Sequence, residues 1–583
     1  MADSQRSHFT RTCHFRCAPI VTANPPVIAD RERPLGRTGR PAYGNNPHPT
    51  RCEHEDKITR LNTRHMRQIL KEMNRISAGA VATSRTQVSL AHNLVGDRMN
   101  EIYIVDTTLR DGQLSLWALG MRTGAMLAIA EQMDHCGFES LEFFGFAGYI
   151  KFVREHKENP WDWMGIGAKK FRRTRLRYHG GLATGFEKIP RSVRLLMIER
   201  VVAHGITLTR SSDPWNDYEA SAVEIEGLKK LGMNVVVNII YSVSPRHTDE
   251  YYAQKAREAA AIKPYRICFK DVAGLLTPER TRALFPLIKK NIGDITLEFH
   301  AHCNNGMAPF NYLEAIKLGA NTLHTAIPPL ANGSSQPSIY NVASNAQALG
   351  YTPLVDLAAI KPVEKHFTFI AKREGHPIGA PREYDEAQYL HQVPGGMISN
   401  LRYQLRTMGM EEKLPAVLEE AGRVRAEFGY PIMVTPLAQF VGSQAAINVI
   451  TGERYKEVTD QTIQYALGLW GKEAPTVMDT DVKDKILARP RAKEWAGWTP
   501  PDLSLKEVRQ KFGPGVSDEE LVLRVIAGEA AVKAMLAAGA PREYLSVTQP
   551  LVRLIGELSK RRDCNQVVIQ KSGLTLRLEK RKC

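Results

Sequence analysis

The residue types that metal and proton chemistry require gather in three short stretches of this 583-residue chain. They read Asp106-Thr107-Thr108-Leu109-Arg110-Asp111-Gly112-Gln113, Cys268-Phe269-Lys270-Asp271-Val272-Ala273-Gly274 and His300-Ala301-His302-Cys303-Asn304. On a β-strand, residues i and i+2 face the same side. His300 and His302 can therefore aim two imidazoles at one ion, and a carboxylate from another strand would complete an N,O ligand set for a metal. Glu142 stands at the end of a further predicted strand, either supporting the metal ligands or pairing with Arg110, the second being preferred.

For these stretches to meet, each must end a strand of one sheet. Short apolar runs predict strands over 102–106, 138–143, 174–178, 206–210, 235–241, 265–269, 295–300 and 322–327. Helical patterns separate them over 120–135, 193–203, 218–231, 249–261, 278–290 and 311–318. Strands alternating with helices predict a parallel sheet. Eight such units over about 270 residues predict an α/β chain built on a TIM (β/α)8 barrel, whose chemistry lies at the C-terminal strand ends. Beyond residue 360 the alternation stops. Residues 385–480 read as mainly helical, with Pro394-Gly395-Gly396 and Thr435-Pro436 as breakers. Helices are expected near 518–537 and 548–562, and a final strand pair over 566–570 and 574–578.

Composition sets outer bounds. Hydrophobic residues make up 43% and charged residues 24%, as in ordinary globular proteins. No apolar run reaches the roughly 18 residues of a membrane span, and the N-terminus lacks the apolar stretch of a secretory signal. Eight cysteines are too few for a disulfide scaffold, so a reducing compartment, the cytoplasm, is expected. The net charge is +16, with basic clusters at 169–175 and near the C-terminus. No nucleic-acid-binding motif accompanies them, and nucleic acid is not an expected partner. Residues 1–65 lack periodicity and read as disordered. Cys13, Cys17, Cys52, His14 and His54 lie there at spacings too irregular for a zinc site.

The strand-end stretches occur with others: Asn159-Pro160-Trp161, Ser244-Pro245-Arg246-His247-Thr248, Ser335-Gln336-Pro337, Gln392-Val393-Pro394-Gly395-Gly396-Met397, and Val434-Thr435-Pro436 through Val441-Gly442-Ser443-Gln444. Jointly, over about residues 100–475, they resemble the metal-dependent carboxyltransferase domains of biotin enzymes, such as pyruvate carboxylase, the oxaloacetate decarboxylase alpha subunit and the transcarboxylase large subunit. The resemblance implies a helical conserved carboxylase domain after the barrel. It implies Asp111, Lys270, His300 and His302 as ligands of a divalent metal (Zn, Mn or Co), with Lys270 carboxylated. That state is chemically sensible, because a free ammonium beside a dication is disfavoured. It also implies carboxyl transfer between biotin and an enolisable carbonyl acceptor, with Ser334 in the place of a proton-shuttling threonine and Arg110 facing the substrate.

Other substrate positions depart from that pattern. Leu114 replaces a glutamine, His179 an arginine, with Arg177 two residues earlier, Phe186 a tyrosine and Ile150 an aspartate. These losses suggest a more apolar acceptor or lost activity. No Met-Lys-Met occurs, so biotin must come from a partner chain. The expected organisation is a basic, disordered extension (1–95), the metal-binding barrel (96–375), the helical domain (376–480), and a C-terminal extension (481–583) as a candidate docking element for a biotin carrier subunit. Expected partners are biotin carrier and biotin carboxylase subunits, a small carbonyl acceptor, and a second copy in a homodimer. The alternatives are a metal-dependent aldolase or Claisen-type lyase on the same barrel, and a non-catalytic metal-binding subunit.

Overall fold

A computed structural model of the protein describes residues 100–180, 189–499, 502–544, 558, 566–571 and 574–579. The chain divides into two compact units, one spanning Met99–Arg553 and the other holding Met1–Arg98 with Leu554–Cys583. In the larger unit, eight parallel strands close into a barrel. They are β1 (Glu101–Asp106), β2 (Ser140–Gly145), β3 (Arg175–His179), β4 (Leu208–Ser211), β5 (Asn234–Ile240), β6 (Arg266–Asp271), β7 (Leu297–Ala301) and β8 (Thr322–Thr325). Each pairs with the next, β8 pairs with β1, and β1 with β2 closes the ring. A short β9 (Thr352–Pro353) extends β1 at the edge. The eight strands and the TIM barrel expected from the alternation are therefore present.

Local sequence accounts for the helices between them. Asp217, Thr248 and Thr277 each accept a backbone N–H as N-caps, and Pro278 follows Thr277 at the first helical position, where it has no intrahelical N–H to lose. The expected single helix over 120–135 is broken into Thr123–Leu127 and Ala130–Met133. The large core lies between the strands' outer faces and the helices, with Val235, Val237, Ile239, Phe269 and Phe299 among its buried residues. Inside the barrel the pattern differs, because Leu208, Val236 and Cys268 form only a small apolar cluster. Below the strand ends, Arg177 makes a bidentate pair with Glu298 (2.6 and 2.9 Å), and Arg266 and His324 also contact that carboxylate. A fully buried bidentate pair needs further contacts to offset desolvation, and Ser140, Arg266 and His324 supply them from other strands.

After the barrel, helices Leu357–Glu374, Gly395–Thr407, Leu414–Glu427 and Leu437–Thr451 lead into a second apolar core around Val417, Phe428, Val441 and Tyr465. Arg425 and Gln392 tie this region to Ser242 and Val243 at the barrel top. The helix expected over 518–537 is two, Asp518–Ala527 and Glu529–Ala538, because Gly528 turns the backbone to φ 89°. These segments lie on the barrel flank: Trp161 Nε1 donates to the Glu519 carbonyl, and Arg154 Nε to that of Ala527. In the other unit, β10 (Gln566–Lys571) and β11 (Leu574–Glu579) form the expected antiparallel pair. Residues 1–95 and all but position 558 of the expected helix over 548–562 lie outside the described residues. Among the described residues no helix is long and apolar enough to cross a membrane.

Candidate active site

β1 ends in a buried carboxylate, Asp106, which accepts the backbone N–H and the hydroxyl of Thr108 and so turns the chain into a single π-helical turn, Thr108–Gly112. Thr107 donates to the Thr325 carbonyl, pinning this turn over β8. The turn carries Arg110 and Asp111 across the barrel mouth. β6 and β7 are neighbours, with Lys270 and His300 in direct register, and parallel register partners share a face. One Asp111 oxygen, Oδ2, stands 3.2 Å from His300 Nε2 and 3.6 Å from His302 Nε2. Sequence reading and structure thus bring Asp111, His300, His302 and Lys270 to one end of the barrel.

Hydrogen bonds settle which imidazole nitrogens bear protons. His302 Nδ1 lies 2.7 Å from the Ser334 carbonyl oxygen, which can only accept. The proton is therefore on Nδ1, and the Nε2 lone pair faces Asp111. His324 Nε2 lies 3.0 Å from Glu298, so that nitrogen donates and leaves His324 Nδ1 as an acceptor. His300 Nδ1, 3.1 Å away, donates to it, which again frees an Nε2 lone pair. The relay Arg177–Glu298–His324–His300 orients one imidazole, and the Ser334 carbonyl orients the other.

Two unprotonated nitrogens and a carboxylate oxygen lie within 4.8 Å of one another and converge on the amide nitrogen of Gln336, the kind of N,O donor set that takes a cation. The donor set thus fits a divalent metal, which the structure does not contain. Electrostatics agree. Burial would raise the Asp111 carboxyl, but the Arg110 guanidinium beside it holds it well below the usual range. Burial, reinforced by Arg210, pushes His300 well below its usual value and Lys270 down to about 7. A second group, Cys268, Glu298 and His324, also brings three donor atoms together. Its carboxylate is already neutralised by Arg177 and Arg266, so the group reads as an ion-pair network.

Around the ligands, the Ser334 hydroxyl donates to the Ser115 carbonyl at 2.8 Å. Gly395, from the Pro-Gly-Gly stretch, abuts this loop. A Cβ there would come within 2.6 Å of both Asn304 Oδ1 and Ser334 Cβ, so only glycine lets the helical region close on the site. Leu114 is half-buried on the short helix Gln113–Trp117, and His179 ends β3 with its imidazole at 3.9 Å from Glu142. Arg177, the other candidate arginine on β3, is not at the site, since Glu298 holds it deeper in the barrel. Ile150 packs against the barrel core from the helix Phe146–Lys151. Phe186 lies outside the described residues.

The pairing of Glu142 with Arg110, preferred from sequence, is present, but Arg110 is not the main partner. The nearest cation to Glu142 is Arg210 at 2.5 Å, against 3.8 Å for Arg110. Sequence reading does not single out Arg210, whose signal is a charged residue ending the Leu208-Thr209 strand. It also assigns no role to Gln336, whose amide nitrogen lies 3.1–3.4 Å from Asp111, His300 and His302.

A TIM barrel with a His/His/Asp triad able to hold a metal ion at its C-terminal mouth, capped by a helical region, fits a metal-dependent barrel enzyme class. Comparison with known proteins narrows this. The family described as "Conserved carboxylase domain" matches residues 389–548, and the "HMGL-like" family matches 208–366. A pyruvate carboxylase subunit of Methanocaldococcus jannaschii is 34% identical over 439 residues, 74% of this chain and 77% of that protein. The 2-oxoglutarate carboxylase large subunit of Hydrogenobacter thermophilus is 31% identical over 73% of this chain and 67% of that protein. The methylmalonyl-CoA carboxyltransferase 5S subunit of Propionibacterium freudenreichii is 30% identical, over 64% and 74%. The solved carboxyl transferase domain of Rhizobium etli pyruvate carboxylase with pyruvate shares the fold, at TM-score 0.68 and 24% identity over 76% of this chain and 79% of that one. The chain belongs to the family of biotin-dependent carboxyltransferases of the pyruvate carboxylase type.

Proposed function

We propose that this chain moves a carboxyl group between biotin carried on a partner chain and the enolisable carbon of a 2-oxo acid or a larger, more apolar analogue. The observation that carries the reading is the pair of lone pairs fixed on His300 and His302 against Asp111, beside the buried amine of Lys270. A divalent cation of the Zn, Mn or Co class would be held by Asp111, His300, His302 and Lys270, and would supply Lewis acidity at the acceptor's carbonyl. Lys270 serves as its carbamate: the neutral amine adds to CO2, an N–C bond forms and a proton leaves. Arg110, 13% exposed at the mouth, faces the acceptor, and Leu114 and His179 shape its seat. Ser334 holds its hydroxyl where a proton can pass between acceptor and biotin nitrogen.

The conserved carboxylase match beyond the barrel favours carboxyl transfer over a Claisen-type lyase, whose likeness is confined to the barrel. The partners of this reading are biotin carrier and biotin carboxylase subunits, and a second copy of the chain. The region after residue 481 serves the carrier. Oxaloacetate decarboxylation by the metal-loaded chain, with and without free biotin, tests it. Biotin-dependent pyruvate release is expected. Release that ignores biotin, or none from any oxo acid with metal bound, overturns it.

A further inference from the structure

β3 ends in His179, where the family resemblance implies an arginine. β4 supplies one next door. His179 and Arg210 are direct register partners, so their side chains share the barrel's inner face. Arg210 is fully buried, and its Nη2 lies 2.5 Å from Glu142 and 3.6 Å from the metal-ligand oxygen of Asp111. Both carboxylates therefore stand against one nitrogen. Among the described residues, no hydrogen bond reaches its Nε or Nη1. Donors left unmet at full burial cost more than a hydrogen bond returns, so they mark the place of an acceptor that the protein does not itself provide. Gly145 lets β2 pass close to this corner: a Cβ there would stand 2.9 Å from the His179 carbonyl oxygen and 3.2 Å from Arg110 Nε.

Charge points the same way. Asp111 and Glu142 balance Arg110 and Arg210. A divalent cation with a Lys270 carbamate leaves one net positive charge, the complement of a monocarboxylate. We propose that Arg210 seats the acceptor's carboxylate, so that the site keeps its preference for an anionic oxo acid although β3 ends in histidine. This deepens the functional reading above and rests on it for the identity of the acceptor.

The test compares pyruvate with pyruvamide, which differ only in that carboxylate, by calorimetry on the metal-loaded full chain. Metal content is measured for every variant. The unaltered protein is expected to favour pyruvate by about tenfold or more, the value of a charge-assisted bidentate contact. Arg210→Gln is expected to abolish the preference, and Arg210→Lys to reduce it severalfold, because an ammonium cannot supply the planar fork. Equal binding of both ligands by the unaltered chain overturns the proposal. So does a preference that persists in Arg210→Lys at full strength, or one that His179→Gln alone removes. Should Arg210→Gln not fold or not hold metal, Arg210→Lys decides. A preserved preference without biotin-dependent decarboxylation supports the seat and sinks the transfer reading, so the two failures are distinguishable.

Discussion

Ser334 shows how much one side chain carries. Its carbonyl sets the His302 tautomer while its hydroxyl faces Ser115. Backbone and side chain have separate tasks, so Ser334→Ala should leave the metal bound and slow turnover. A lost proton relay is worth about 10²–10⁴ in rate. Steady-state kcat with metal analysis checks this, and Ser334→Thr, which restores a hydroxyl, should recover most of the rate. An equal loss of metal in Ser334→Ala would instead assign the residue to the ligand scaffold.

At the scale of strands, the barrel interior is an electrostatic device rather than a hydrophobic plug. β3, β7 and β8 contribute Arg177, Glu298 and His324, and this layer reaches the His300, His302 and Asp111 donor group through His300. Glu298→Gln would strand a fully buried guanidinium, and breaking one side of such a pair costs about 3–5 kcal/mol. It would also remove the group that fixes the His324 and His300 tautomers, and losing an outer partner typically weakens metal binding about 10–100-fold. Chemical denaturation and competitive metal titration should show both effects together. Normal metal affinity in a destabilised variant would uncouple the relay from the site.

For the whole molecule, stability and metal occupancy should be linked. The ligands come from segments far apart in sequence, the turn after β1 and the ends of β6 and β7, so an unfolded chain cannot assemble them. A cation that binds only the folded state stabilises it by about 2.7 kcal/mol at a hundredfold excess over Kd. Chelation is therefore expected to lower the melting temperature, and readdition of zinc, manganese or cobalt to restore it to different extents that rank the metals. A melting temperature indifferent to chelator, in protein shown to lose its metal, would mean that these side chains do not hold it.

Local physics made much of this legible from sequence. Strand and helix periods are short-range, so eight strands could be counted and His300 and His302 placed on one face. The carboxyltransferase family, and the donor residues that the structure brings together, were readable because the stretches that carry them are each contiguous. What sequence could not show depends on which strands become neighbours. Arg210 draws attention because β4 lies beside β3, in register at His179, and the Glu142 carboxylate reaches it from β2, one strand further round. The tautomers of His300 and His302 follow from partners on β8 and in the loop after it. Gly395 is required only because the helical region folds back onto Asn304 and Ser334. Periodicity and ligand type are properties of a segment. Charge pairing, proton placement and close approach are properties of distance, and only the tertiary structure sets distance.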